Sequence, residues 1–244
     1  NNLKFYAANS KLQKLEKIIN KKVYTLNLLA GWTCLGALDC LAKTVIVNGK
    51  RKIQDGQRAK FRCYAASLST VYKGVYESQK FNTDLIKACK SSDEIYQLLI
   101  DSLPHKAEVI RWHSSGDIVS LKYFDAMIKL ANSRKDIIFY AYTKALPFWI
   151  KRLNSIPNNL ILTASRGGKY DNLIDEYNLR EARVVYSEEE AHKLELEIDT
   201  TDFHAYDPNN KNKSFSLVLH GQQQAKTLAS KALQKILKRK RDKQ

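Results

Sequence analysis

The sequence predicts an α/β fold whose mostly parallel sheet forms a partial or distorted (β/α) barrel, with an N-terminal β-hairpin and a C-terminal basic helix. Two observations predict it. Several strand-like runs are almost continuously apolar, as in parallel strands buried on both faces. These runs alternate with helix-like segments, and right-handed crossovers between them curl a sheet in one direction. The length of 244 residues suits a single domain over residues 1–225, followed by a basic helical tail over residues 226–244.

The first elements are a helix, a strand and a hairpin. Residues 10–21 form an amphipathic pattern with Ser10 as its N-cap, which predicts a short helix. The β-rich run at residues 23–28 predicts a strand. Residues 44–53 predict a hairpin, because Asn48–Gly49 supplies the two left-handed residues that a tight turn between strands requires.

Helices are predicted next, before a series of strands. One helix is expected to begin at Asn82 or Thr83 and to contain Cys89, and another to open at Ser92 and stop near Pro104. Helices are also expected between the later strands, and from about residue 225 onward. The later strands are predicted at residues 109–112, 137–142, 160–164, 183–186 and 215–219.

Positive charge is concentrated in three parts of the chain. The formal net charge is +16, with a net +5 over residues 1–22, +6 over residues 43–62 and +7 over residues 226–244. Clustered positive charge favours nucleic acid, acidic lipid or an acidic protein as a partner. A frayed tail that improves solubility explains the last cluster equally well. Nucleic acid or an acidic protein is therefore the expected partner.

Several classes of protein are disfavoured by what the sequence lacks. There is no apolar run long enough to span a membrane and no signal peptide, so a cytoplasmic protein without membrane contact is expected. Without a secretory signal, the four cysteines are a poor disulfide framework. The G-x-S-x-G turn of serine hydrolases and the phosphate-binding loop of nucleotide hydrolases are both missing.

Cys34, Cys40 and Cys63 form the strongest candidate metal site. Five residues separate the first pair and twenty-two the second, and the predicted hairpin folds back between Cys40 and Cys63. Thiolates favour an iron–sulfur cluster or zinc, and three of them can hold three irons of a [4Fe–4S] cube. The close pairs of a zinc ribbon are absent. Cys89 lies on an apolar helix face, which is typical of the core, and it is also the natural candidate for a fourth thiolate. Cysteine is often a small buried hydrophobe, so the spacing alone leaves both interpretations open.

Polar residues follow the predicted strands, where parallel sheets bind their ligands. We expect Ser115, Gly116, Asp117, Ser165 and His220 to bind a cofactor, with the backbone at Gly116 able to cradle an anion. Turns and helix caps explain many of the same residue types. No catalytic residue is assigned, and the sequence does not decide whether the protein is an enzyme. Other polar residues at these ends are His113, Thr143, Lys144, Arg166, Gly167, Gly168 and Ser187.

Several of these motifs together resemble the phage gene product 88 family. The resemblance covers roughly residues 25–225 and is carried, in order, by residues 28–37, 63–65, 111–117, 142–144 and 217–221. It implies a phage-encoded protein acting in the host cytoplasm, and a phage or host protein as a further possible partner, more than it implies a reaction.

The Cys63–Ala65 element also resembles phage proteins related to radical S-adenosylmethionine enzymes. That resemblance implies a [4Fe–4S] cluster on three cysteines and S-adenosylmethionine on the fourth iron. The compact C-x₃-C-x₂-C motif is missing, Ser115–Asp117 stands where Gly-Gly-Glu is expected, and no cysteine follows Cys89. Three functions stay open: a non-catalytic iron–sulfur protein with basic surfaces, a radical enzyme, and a zinc or metal-free nucleic-acid-binding module.

Overall fold

The computed structural model describes residues 2–242, which form one seven-stranded sheet, one two-stranded sheet and the surrounding helices. The strands are β1 (Phe5–Ala7), β2 (Val23–Leu26), β3 (Ala42–Val47), β4 (Lys50–Asp55), β5 (Val109–Trp112), β6 (Ile138–Thr143), β7 (Leu160–Ser165), β8 (Glu181–Val185) and β9 (Phe215–Val218). The helices are α1 (Ser10–Ile19), α2 (Tyr64–Val71), α3 (Lys73–Ala88), α4 (Ser92–Ser102), α5 (Leu121–Ser133), α6 (Leu146–Lys151), α7 (Asn172–Glu176), α8 (Glu188–Lys193), α9 (Phe203–Tyr206) and α10 (Leu228–Asp242). A short 3₁₀ helix, Leu153–Ser155, follows α6.

The large sheet has the order β1-β2-β5-β6-β7-β8-β9. β1 is antiparallel to β2, and every other pairing is parallel. From β2 to β9 the strands lie in chain order, so the crossovers all run in one direction across the sheet. The predicted mostly parallel sheet is confirmed. β1 and β9 are its edge strands, and residues 2–242 show no closed barrel.

The two faces of the sheet are covered differently. One face, here called the five-helix face, packs against side chains from α3 to α7, including Ile86 and Phe124. The opposite two-helix face packs against α1 and α9 through Leu12, Leu15 and Tyr206. Side chains alternate between the faces along a strand, so β2, β5, β6 and β7 each contribute apolar side chains to two separate cores.

The β3–β4 hairpin forms its own small sheet beside α2. Asn48 and Gly49 have φ angles of 51° and 74°, the left-handed pair expected for the tight turn. The Thr44 hydroxyl donates a hydrogen bond to the Ala66 carbonyl at 3.3 Å, and this bond fastens one face of the hairpin to α2. The predicted hairpin is confirmed, with strands that run slightly longer than residues 44–53.

Some predicted helix boundaries were wrong. The helix expected to start at Asn82 or Thr83 begins at Lys73, because Asn82 is buried inside it. The Asn82 side chain accepts from Lys4 N–H at 2.8 Å and donates back to the Lys4 carbonyl at 2.9 Å. The N-cap of α1 is Asn9 and not Ser10, because the Asn9 side chain accepts hydrogen bonds from Lys11 N–H and Leu12 N–H. The helix α4 begins at Ser92 as predicted, with Ser91 as its N-cap.

The C-terminal basic helix is present as α10. It occupies most of the predicted tail, and Lys243 and Gln244 lie outside the described residues. No helix within residues 2–242 has the length and apolar character needed to cross a membrane.

Candidate metal centre

The segment that carries Cys34 and Cys40 follows β2 and lies across the carboxyl ends of β6 and β7. Ala37 forms a β-bridge with Gly168, just beyond β7. At Gly36 a Cβ atom would lie 2.1 Å from the backbone carbonyl oxygen that follows β6, so only glycine allows this close approach. Both cysteines are therefore held at the carboxyl ends of the parallel strands, where α/β folds bind ligands.

Cys63 returns to the same place after the hairpin. The Asp39 carbonyl accepts hydrogen bonds from Lys60 N–H at 2.7 Å and from Phe61 N–H at 3.1 Å. These bonds tie the chain just before Cys40 to the chain just before Cys63. The hairpin thus doubles back, and the twenty-two-residue gap does not separate the two cysteines in space.

The three thiols are free, and they lie within electrostatic range of one another. Each residue as a whole is partly exposed, whereas its thiol group is buried. Burial is the main cause that raises the pKa of Cys34, followed by the charges of Asp117 and Cys63. Burial and then the charge of Cys40 raise the pKa of Cys63 to about 11. Ionisation of one thiol therefore opposes ionisation of the next, as expected for neighbouring groups of like charge.

Several donors around the thiols work against the effect of burial. Gly31 N–H donates to Cys34 Sγ at 3.3 Å. Backbone N–H groups in the first turn of α2 lower the pKa of Cys63. The ammonium group of Lys144 lowers the pKa of both Cys40 and Cys63, although burial leaves both above the ordinary value. These groups would stabilise thiolates if the thiols lost their protons to a metal.

The three thiols do not form a ready set of ligands. Within residues 2–242, no group of three His, Cys, Asp or Glu side chains is arranged to hold a metal ion. Any metal bound here would have to draw the thiols closer together than the structure places them.

Ser115, Gly116 and Asp117 support the cysteine segment. The Ser115 hydroxyl donates to the Leu28 carbonyl at 2.9 Å, and Asp117 N–H donates to Thr33 Oγ1 at 3.2 Å. Gly116 has a φ of 88°, and a Cβ there would lie 2.7 Å from both Leu28 Cβ and Thr33 Oγ1. The loop after β5 therefore packs against the loop after β2.

The Asp117 and Ser165 side chains are occupied by partners within the protein. The Asp117 carboxylate accepts from the Thr143 hydroxyl at 2.6 Å and from Lys144 N–H at 2.9 Å. Lys144 Nζ donates to the Ser165 carbonyl at 2.7 Å, to its hydroxyl at 2.8 Å and to the Arg166 carbonyl at 3.0 Å. These bonds place the Lys144 charge beside the thiols, a role that its position after β6 did not reveal.

A comparison with known families gives a match over nearly the whole chain. The family model described as gene product 88 matches residues 2–240. The chain belongs to the gene product 88 family. The resemblance seen in the sequence is confirmed, and the match supports a phage origin. Comparisons with curated proteins and with solved structures gave no match, so the likeness to radical S-adenosylmethionine enzymes stays a prediction.

The two histidines at strand ends differ in this gene product 88 protein. His220 lies edge-on to the Tyr64 ring at 5.1 Å, next to Cys63, and its pKa is lowered by burial and then by nearby cations. His113 is buried with a φ of 61°, and its Nε2 lies 2.8 Å from the Tyr123 hydroxyl. Burial lowers the pKa of His113 to about 3, which marks a neutral structural residue. His220 therefore adjoins the thiol site.

The fourth cysteine of this gene product 88 protein lies elsewhere. Cys89 follows the last residue of α3 and packs against the core of the five-helix face. Its thiol donates to the Leu85 carbonyl at 3.4 Å, and its pKa is raised by burial and then by the charge of Glu94. The structure does not bring Cys89 to the three thiols.

Sequence reasoning missed a buried ionic network on the two-helix face. Asp202 has a fully buried side chain that pairs with Lys11 Nζ at 2.5 Å and with Arg111 Nη1 at 2.7 Å. The hydroxyl groups of Tyr140 and Tyr142 each donate to it at 3.2 Å. The one signal in the sequence was an arginine inside the otherwise apolar strand β5.

Proposed function

We propose that this gene product 88 protein binds a [4Fe–4S] cluster through Cys34, Cys40 and Cys63, and that its basic surfaces contact nucleic acid or a phage partner. The observation that carries the first part is the return of the chain after the hairpin. It brings three unpaired thiols to one end of the parallel sheet.

The chemistry of the donor set fits an iron–sulfur cluster. Thiolates are soft ligands, and hydrogen bonds to sulfur tune such clusters. Gly31 N–H already points at Cys34 Sγ, and Lys144 supplies a positive charge beside Cys40 and Cys63. The raised thiol pKa values are overcome by metal coordination, which deprotonates the ligands.

Anaerobic purification and reconstitution with iron and sulfide test this proposal. We expect iron and sulfide in the protein and visible thiolate-to-iron absorbance, all lost when Cys34, Cys40 or Cys63 is changed to alanine. Cys89→Ala is the matched control, because it removes a thiol from the end of α3 and should leave the cluster intact. A folded wild-type protein without iron or colour contradicts the proposal, and so does equal loss in Cys89→Ala.

Zinc is the alternative for the same thiols. Zinc accepts thiolate ligands and often completes a site of three protein ligands with water. Metal analysis separates the two outcomes, since stoichiometric zinc without sulfide would replace the cluster with a zinc-stabilised module.

A radical S-adenosylmethionine enzyme is a second candidate, favoured by one observation. Cys89 lies apart from Cys34, Cys40 and Cys63, so a cube held by those three thiols would have one iron without a cysteine ligand. Strands in chain order from β2 to β9 also suit a partial (β/α) barrel around that position. The reduced cluster is expected to cleave added S-adenosylmethionine to 5′-deoxyadenosine. Absence of both cleavage and cofactor binding rejects the enzyme but leaves the cluster proposal in place.

Charge supports contact with nucleic acid. The net charge of the chain is +16, and part of it lies on the basic helix α10, whose last turn contains Arg239, Lys240 and Arg241. Binding that depends on phosphate contacts weakens steeply as salt increases, and this dependence is the first measurement to make. Affinity independent of salt would contradict the phosphate contacts and favour a protein partner.

A further inference from the structure

The β3–β4 hairpin has one face turned away from α2. Its inner face is fastened to α2, where Thr44 bonds to the Thr70 hydroxyl at 2.9 Å and Arg51 Nε donates to the Thr70 carbonyl at 3.1 Å. Side chains alternate along strands, so the neighbours of these residues point outward. The register places Lys43 opposite Gln54, Val45 opposite Lys52 and Val47 opposite Lys50 on that outer side.

Trp32 lies beside this outer side. Its indole N–H donates to the Thr44 carbonyl at 2.8 Å, and Lys43 Nζ sits 4.4 Å from the ring centroid. The ring is held in place by both contacts and is still 43% exposed. We call Trp32, Lys43, Val47, Lys50 and Lys52 the hairpin outer face.

Within residues 2–242, the lysines of the hairpin outer face form no ion pair with an acidic side chain. Nearby cations are paired, Lys60 with Asp39 at 3.0 Å and Arg62 with Asp55 at 2.5 Å. In the part of the chain that the structure describes, no ion pair involves the lysines at positions 43, 50 and 52. The surface therefore carries positive charge that an anionic partner can neutralise.

We propose that the hairpin outer face binds single-stranded nucleic acid, with its lysines at the phosphates and Trp32 stacked on a base. This inference rests on the nucleic-acid part of the proposed function and is independent of the cluster. Lys50 and Lys52 are alternate residues of one strand, so their Cα atoms lie about 7 Å apart and present a regular row of charge. A fixed, exposed aromatic ring beside such a row is the arrangement that binds unpaired bases.

A single strand fits this surface better than the other anionic partners. In a duplex the bases are stacked on one another and leave no free ring face for Trp32. An acidic protein or lipid would use the lysines but not the aromatic ring. Because Trp32 and Cys34 share one loop, a bound strand would run beside the thiols.

Tryptophan fluorescence provides a direct test, since Trp112 and Trp149 are buried and only Trp32 can meet a base. We expect a single-stranded thymidine oligonucleotide to quench the tryptophan fluorescence of the wild-type protein. The quenching should disappear in Trp32→Phe if the indole is the reporter.

Stacking on an aromatic side chain predicts that Trp32→Ala weakens binding about tenfold, measured by anisotropy of a labelled oligonucleotide. Equal affinity for inorganic polyphosphate, with no quenching by the oligonucleotide, would overturn the stacking contact.

The lysines are tested by a charge-matched pair of variants. Lys50→Gln/Lys52→Gln should reduce the salt slope of binding by about 0.7 for each lysine. Lys106→Gln/Lys135→Gln removes the same charge from exposed positions outside the three basic clusters and should leave the slope unchanged. An unchanged slope in the hairpin variant, with a reduced slope in Lys235→Gln/Lys238→Gln of α10, assigns binding to the tail and overturns this inference alone. If neither the wild-type protein nor any variant binds the oligonucleotide, the nucleic-acid part of the proposed function is rejected as well. Iron content tests the cluster separately.

Discussion

The two faces of the large sheet are stabilised in different ways. Along β5, Ile110 and Trp112 point into the apolar core of the five-helix face and are fully buried. Arg111, between them, points to the two-helix face and joins the ionic network around Asp202. The same four-residue strand therefore contributes hydrophobic burial to one side and charge pairing to the other.

The difference shows how a thinly covered face can remain ordered. Burial by itself would raise the pKa of Asp202, but the charges of Arg111 and Lys11 outweigh it and hold this pKa below its ordinary value. Arg180 on the same face donates to the Leu162 and Ala205 carbonyls, and burial lowers its pKa to about 10. Polar pairing thus specifies the two-helix face, where the apolar helix residues found among residues 2–242 come from α1 and α9.

The largest effect should come from removing the shared carboxylate. Asp202→Asn keeps the shape of the side chain but leaves two cations without a counter-charge, one of them in a largely buried position. Loss of one partner of a buried ion pair predicts a decrease of about 3 kcal/mol in the free energy of unfolding, measured with urea.

A second variant shows whether charge is the cause. Adding Arg111→Met to Asp202→Asn removes the unpaired guanidinium and should recover part of the lost stability. If Asp202→Asn costs less than about 1 kcal/mol, the network does not stabilise its face in the way described.

A smaller effect is expected on the opposite face of the same strand. Ile110→Val deletes one methylene group from a fully buried position, which predicts a loss of about 1 kcal/mol in the free energy of unfolding. The loss should be additive with Asp202→Asn, because the two residues contribute to separate cores. Strong coupling in a double-mutant cycle would show that the two faces are not independent.

Local patterns in the sequence predicted much of the fold. The apolar runs located the parallel strands, and Asn48–Gly49 located the hairpin, because both signals depend on near neighbours in the chain. The start of α3 was misplaced because Asn82 has the character of a helix cap. Its real partners, Lys4 and Asn27, are more than fifty residues away.

The candidate site was predictable only in part for the same reason. The spacing of Cys34, Cys40 and Cys63 around a hairpin predicted that they come together, and the bonds to Asp39 show how the chain returns. The separation of Cys89 depends on where α3 packs, which the spacing of cysteines does not encode. The network around Asp202 joins residues from α1, β5 and the loop before α9, and no local pattern connects them.

The smallest effect should come from the exposed end of the network. Lys11 has a side chain that is 32% exposed, so water screens its pairing with Asp202 more than it screens that of Arg111. Lys11→Met should therefore lower the free energy of unfolding by only about 0.5 kcal/mol in a urea titration. Lys14→Met is the matched control on the same helix, because Lys14 is exposed and α1 keeps its buried Leu12 and Leu15. A loss for Lys11→Met as large as for Asp202→Asn would mean that both cations are needed equally, and the ordering by exposure would be wrong.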